Sequence, residues 1–93
     1  MSEKYYLRLY ISAGSDISQI ALRNLEAICK EYIDGKYELE VIDVFQNPEL
    51  VEEDKVMIIP TLIKKRPQPV RKIVGDLQDK EKVLFVLDLI QKR

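Results

Sequence analysis

Histidine is absent from this 93-residue chain, and cysteine occurs once, at Cys29. Without histidine the commonest general base, the triads built on it and a usual zinc ligand are all missing. A single thiol excludes an internal disulfide and the cysteine pair of a dithiol redox centre. Glycine is scarce too: Gly14, Gly35 and Gly75 lie far apart, so no phosphate-cradling loop can be read. Neither sign of charge dominates. Fifteen Lys and Arg face 16 Asp and Glu, and a net charge of −1 gives no global pull towards nucleic acid or an anionic membrane. No apolar run is long enough to span a bilayer, and Met1-Ser2-Glu3-Lys4 leads into a strand-like run rather than an export segment. What is present is 46% hydrophobic content in a chain of single-domain size. Two domains would each be too small to fold without disulfides or a metal. The expectation is one cytoplasmic domain over residues 1–93 with no cofactor.

Tyr5 to Ser12 is rich in aromatic and branched residues, with Leu7, Leu9 and Ile11 alternating against Tyr6, Arg8 and Tyr10. That period of two predicts a strand with one apolar and one amphipathic face. Asp16 with Gln19 reads as a capping box, and Ile17, Ala21, Leu25, Ile28 and Tyr32 form a helical stripe ended by Gly35. Tyr37 to Val44 is a second strand whose acids on one side suggest a face or edge left in water. Strand, helix, strand with a long crossover is a parallel unit. Asn47-Pro48-Glu49 begins a short helix whose apolar residues are Leu50 and Val51 and which turns Glu52, Glu53 and Asp54 to solvent. Two short strands follow, around Thr61-Leu62-Ile63 and Val70 to Val74. Gly75-Asp76 is a turn, and Val83, Leu84, Leu87 and Ile90 share one side of a final helix. The run Val83 to Leu87 would also suit a buried strand, and length favours the helix.

Ile58-Ile59-Pro60-Thr61-Leu62 organises the second half. Proline donates no N–H, so Pro60 belongs at the first residue of a strand or at an edge. The layout apolar-Pro-Thr-strand-turn-strand-Gly-helix resembles the second half of a thioredoxin-like domain, in which the matching proline is usually cis. The predicted fold is therefore α/β, βαβαββα, with a four-stranded mixed sheet and helices on both faces. An active oxidoreductase of that fold carries two cysteines after the first strand; here the loop is Ser12-Ala13-Gly14-Ser15-Asp16. Cys29 lies further down the helix beside Ile28, where it reads as a buried, inert thiol. Asp43, between Ile42 and Val44 in a strand expected to be central, calls for a Lys or Arg partner. One feature suggests recognition. Lys64, Lys65, Arg66, Arg71 and Lys72 form a hairpin without an acidic residue, stiffened at its tip by Pro67 and Pro69. It reads equally as an edge kept soluble by charge or as a surface for an acidic protein partner. Interleaved aromatics are missing, which argues against nucleic acid.

Tyr5-Tyr6-Leu7-Arg8-Leu9-Tyr10 resembles the opening strand of the KaiB family of circadian clock proteins. The pattern continues through Val41-Ile42-Asp43-Val44, Asn47-Pro48, Glu52-Glu53-Asp54-Lys55, Pro60-Thr61-Leu62, Pro69-Val70-Arg71, Gly75-Asp76-Leu77, Glu81-Lys82-Val83-Leu84 and Leu87-Asp88-Leu89. The resemblance implies a non-enzymatic regulator that binds the N-terminal ATPase ring of the KaiC hexamer and modulates its phosphorylation cycle. It also implies competition with a sensor kinase whose own domain looks like KaiB, and capture of KaiA. Members can switch between a tetrameric ground state with a rearranged C-terminal half and a monomeric thioredoxin-like state that binds KaiC. The resemblance assigns partner binding to Lys64, Arg71, Lys72 and Tyr5. It assigns a switching or structural role to Pro60, Pro67, Pro69, Gly75, Asp76, Val86 and Asp88.

The departures are specific. Glu40 stands where the family commonly has a basic residue on the edge strand used towards KaiA, which counts against KaiA. Ile20 replaces a frequent arginine, Pro67-Gln68-Pro69 interrupts a triple proline, and Val86 replaces a glycine of the last helix. Glycine in a helix costs about 1 kcal/mol relative to alanine, so Val86 should help that helix. The expected state is a monomer with Pro60 cis. Two alternatives stand beside it: a stress or signalling adaptor, and a divergent thioredoxin-like enzyme using Ser12, Ser15 or an external thiol.

Overall fold

The structure, a computed structural model, describes residues 4–90. Met1-Ser2-Glu3, read as the start of a chain without an export segment, lies outside the described residues. The elements run β1 (Tyr5–Ile11), α1 (Asp16–Ile33), β2 (Tyr37–Asp43), α2 (Pro48–Glu53), β3 (Thr61–Arg66), β4 (Arg71–Val74) and α3 (Lys80–Val86). The sheet order is β2-β1-β3-β4, with β1 parallel to β2 and β3 antiparallel to both β1 and β4. This is the four-stranded mixed sheet that the order βαβαββα requires. No helix among the described residues is long and apolar enough to cross a membrane.

Alternation along β1 sorts its side chains to two cores. Leu7, Leu9 and Ile11 join Leu62, Ile73, residues of α1 and residues of α3 in the larger cluster. Tyr10 joins Ile42 and Ile63 on the opposite face, where Leu50 and Val51 of α2 pack. Helices thus cover both faces, but α2 spans only six residues and covers one end.

Four local expectations change. Ser15, not Asp16, caps α1, its hydroxyl accepting from the Ser18 N–H, and Asp16 becomes the first-turn acid. The helical stripe is rotated slightly: Ala21, Leu25, Ile28, Cys29 and Ile33 are buried, whereas Ile17 and Tyr32 at its ends are exposed. β2 is an edge strand, so Asp43 is not central. Its carboxylate is satisfied by the Phe45 N–H at 2.8 Å and the Ala13 N–H at 3.3 Å rather than by a cation. Finally, α3 ends at Val86, and Ile90 is left exposed. Asp79 starts that helix by accepting from the Lys82 N–H, and Asp88 turns the chain out of it at φ +60°.

Pro60 sits immediately before β3, and the Ile59–Pro60 bond is cis, as are Arg66–Pro67 and Gln68–Pro69. Its carbonyl accepts from the Gly75 N–H at 2.9 Å, which ties the entry of β3 to the exit of β4. Gly75 holds φ +105°, a conformation that side chains disfavour, so the turn needs glycine there. Asp76 follows it. Its carbonyl accepts from Asn24 Nδ2 at 2.9 Å and its carboxylate from the Gln78 N–H, so the turn is fastened to α1.

Candidate functional site

The basic hairpin divides by strand parity. On β3, Leu62 and Lys64 face the larger core, while Ile63 and Lys65 face α2; on β4, Arg71 pairs with Lys64 and Lys72 pairs with Ile63. Two acids, one on each side of the sheet, gather the cations. The hairpin has no acid of its own, so both come from distant segments.

On the α3 side the acid is Asp88. The Lys64 side chain is 0% exposed, and its ammonium binds the Asp88 carboxylate. Arg71 Nε lies 3.4 Å from the other Asp88 oxygen without the alignment of a hydrogen bond, and its guanidinium stacks over the Phe85 ring, 5.0 Å from the centroid. Tyr5 Oη donates to the Leu87 carbonyl at 2.8 Å. Three of the residues assigned to partner binding, Tyr5, Lys64 and Arg71, therefore meet around the end of α3. Lys64 is not a surface contact in this fold, a correction to its assignment. A fully buried ammonium must keep its counter-ion, because desolvating it alone costs several kcal/mol. Val86, also buried, closes this side.

On the α2 side the acid is Asp54, which the sequence reading turned to solvent. It is buried instead. Its carboxylate accepts from Lys65 Nζ at 2.6 Å, Arg8 Nη1 at 2.8 Å and Tyr10 Oη at 2.5 Å, and its backbone carbonyl accepts from Lys72 Nζ at 2.6 Å. Burial pushes this carboxyl up, but the hydrogen bonds from Lys65, Tyr10 and Arg8 together outweigh burial and hold it at about 2. The same contact raises Arg8, and burial followed by the Asp54 bond lifts the Tyr10 hydroxyl to about 12. Arg8 Nε also binds Glu40 at 3.0 Å, so the edge strand is tied into the same cluster. Asp54, Arg8 and Tyr10 were missed because only the fold places the end of α2 over the second face of β1. The signal available was Arg8 alternating with Tyr10 on a face that also carries aromatic surface.

What stays open to solvent is a basic rim. Arg66 and Lys72 are exposed, Arg71 and Lys65 partly so, and the tip Pro67-Gln68-Pro69-Val70 projects between them. Lys72 alone of the four assigned partner-binding residues lies on the α2 face. The loop after β1 holds Ser12, Ala13, Gly14 and Ser15. Ser15 is committed to capping α1, and the Ser18 hydroxyl accepts from the Ser12 N–H at 3.1 Å. Cys29 is buried, and burial pushes its thiol up to about 12, with Glu26 adding to the effect. The described residues hold no group of acids and cysteine placed to bind a metal ion.

A family profile described as KaiB domain matches residues 8–89. The chain belongs to the KaiB family. It is 52% identical over 86 residues to the circadian clock oscillator protein KaiB of Microcystis aeruginosa, covering 92% of this chain and 83% of that protein. It is 51% identical over 86 residues to circadian clock oscillator protein KaiB1 of Synechocystis, covering 92% and 82%. Among solved structures, the N-terminal domain of Synechococcus elongatus SasA superposes with a TM-score of 0.77 at 23% identity, covering 100% of this chain and 91% of that one. Chloroplastic thioredoxin z superposes at 0.72 with 21% identity, covering 92% and 80%. The fold of this KaiB-family chain is thioredoxin-like.

Proposed function

We propose that this chain is a non-enzymatic circadian-clock regulator that binds the N-terminal ATPase ring of a KaiC hexamer in the thioredoxin-like state described above and so modulates its phosphorylation cycle. The observation that carries this reading is the β3–β4 hairpin. It presents Arg66 and Lys72 exposed and Arg71, which shares Asp88, partly exposed around a proline-stiffened tip, while Lys64 is neutralised by Asp88 and Lys65 by Asp54. A preformed cationic rim on a satisfied scaffold favours an acidic protein surface at low ordering cost. Arg71 and Lys72, with Arg66, supply the contacts, while Tyr5, Lys64 and Asp88 hold the end of α3 that frames them. The likeness to the SasA domain supports competition between the two for one surface. Glu40, ion-paired to Arg8, presents a carboxylate at the β2 edge, so KaiA is left out of the proposal.

The test is capture of the KaiC hexamer of the same organism, with incubation over many hours. Long incubation matters because a fold shared with a rearranged tetramer lowers the competent fraction and slows association. The wild-type chain should be retained and the double variant Arg66→Glu, Lys72→Glu should lose at least tenfold in apparent affinity. No retention of the wild type after prolonged incubation would overturn the proposal. Binding of a different signalling protein through the same rim would support the adaptor reading.

A further inference from the structure

The end of the sheet opposite the basic tip has a different chemistry. It is formed where β1, β2 and β4 finish and β3 begins. The Val44 N–H bonds the Ile11 carbonyl at 3.0 Å, Ala13 N–H reaches Asp43, Gly75 N–H bonds the Pro60 carbonyl, and Thr61 pairs with both Tyr10 and Val74. The segments gathered there are residues 12–17, 43–50, 57–61 and 74–78. None contains Lys or Arg, in a chain with 15 such residues. They carry Asp16, Asp43, Glu49 and Asp76, and among the described residues none of these four enters an ion pair. Lys55 borders the set along the chain without joining it.

The same segments hold half of the large hydrophobic residues that the fold leaves exposed: Ile17, Phe45, Met57, Ile58, Ile59 and Val74, of the twelve so exposed among the described residues. Met57 is 92% and Phe45 80% exposed, far more than a core-facing residue at a loop would keep. Scattered apolar side chains on a surface mean little, but a concentration at one end marks an interaction surface. The backbone N–H groups of Met57, Ile58 and Ile59 find no protein acceptor among the described residues, so this loop offers donors beside its side chains. An extended chain laid across this loop can accept from such free main-chain donors with its own carbonyls while its side chains take the apolar contacts.

We propose that this end is a second docking surface, separate from the basic hairpin, whose occupant is an extended segment of a partner protein that is apolar and flanked by Lys or Arg. The apolar side chains supply contact area, and the unpaired acids select the sign of the flanks. With the hairpin engaged at the other pole, the chain could hold two partners of opposite charge at once.

The probes are two synthetic eight-residue peptides with the same Leu/Val/Ile core, one flanked by lysines and one by glutamates, titrated into the full chain and followed by amide NMR. The lysine-flanked peptide should shift the amides of residues 45, 57–59 and 74–75 and bind at least tenfold more tightly than the glutamate-flanked one. Met57→Ser and Phe45→Ser change two side chains that the core does not use, so the fold should survive, and each should weaken the lysine-flanked peptide at least fivefold. No shifts at these amides, or equal binding of the two peptides, would overturn the proposal. So would shifts of the same amides on dilution of the chain alone, which would assign the surface to a second copy.

Discussion

Asp54→Asn tests the account of the α2 side most sharply. The wild-type carboxyl is lowered from 3.8 to about 2. At about 1.4 kcal/mol per unit of pKa, that depression contributes about 2 kcal/mol of stability at neutral pH. The amide also turns a donor towards Lys65 or Arg8, which adds up to about 1 kcal/mol. The addition is small because both cations keep water contact. The total is about 2–3 kcal/mol, or a fall in Tm of roughly 10–20 °C for a domain of this size. Because the folded carboxyl is depressed, its stabilisation is fully present above the unfolded value near 4 and is lost as pH falls through about 2. Urea denaturation of wild type and variant should therefore differ by about 2–3 kcal/mol at pH 7, with the gap narrowing between about pH 4 and pH 2. A gap below about 0.5 kcal/mol at pH 7, a typical surface effect, or one that does not change with pH, would show that Asp54 is solvated and the cluster incidental.

The α3 side predicts an asymmetry. Asp88→Asn strands a fully buried ammonium and should cost about 2–3 kcal/mol, reduced because Asp88 keeps a third of its side chain in water, whereas Lys64→Met leaves only that partly solvated carboxylate beside Arg71 and should cost under about 1 kcal/mol. Equal costs in urea melts would refute that ordering. Tyr5→Phe removes the hydrogen bond to the Leu87 carbonyl and should cost about 1 kcal/mol, read as a shifted denaturation midpoint with an unchanged slope. Cys29, its thiol raised to about 12 and buried, should resist an aromatic disulfide reagent at pH 8 at any rate faster than unfolding; rapid labelling of the native chain would show that α1 opens locally.

Element identity was legible wherever a short-range pattern had a single reading. Alternation through Leu7, Leu9 and Ile11 and the spacing of Ala21, Leu25 and Ile28 are properties of the backbone period, and they survive in any packing that uses those elements. Charge placement was not legible in the same way. Glu52, Glu53 and Asp54 are consecutive acids on a short helix, yet the first two are exposed and the third is buried among three donors. Lys64 and Lys65 are adjacent basic residues, yet one is sealed in the larger core and the other reaches across the opposite face. Asp43 has the same cause. Its environment depends on whether β2 is central or at the edge, which is fixed by the sheet order and not by its neighbours in sequence.

The sequence by itself determined the class of fold, the place of the turn at Gly75 and the absence of a dithiol centre, because periodicity, glycine and the lack of a cysteine pair act locally. The tertiary structure alone decided which cations of the hairpin are free. Successive strand residues point to opposite faces, so each Lys or Arg is assigned to one side of the sheet. Whether it stays in water then depends on which distant acid, Asp54 at the end of α2 or Asp88 after α3, the fold brings to that side.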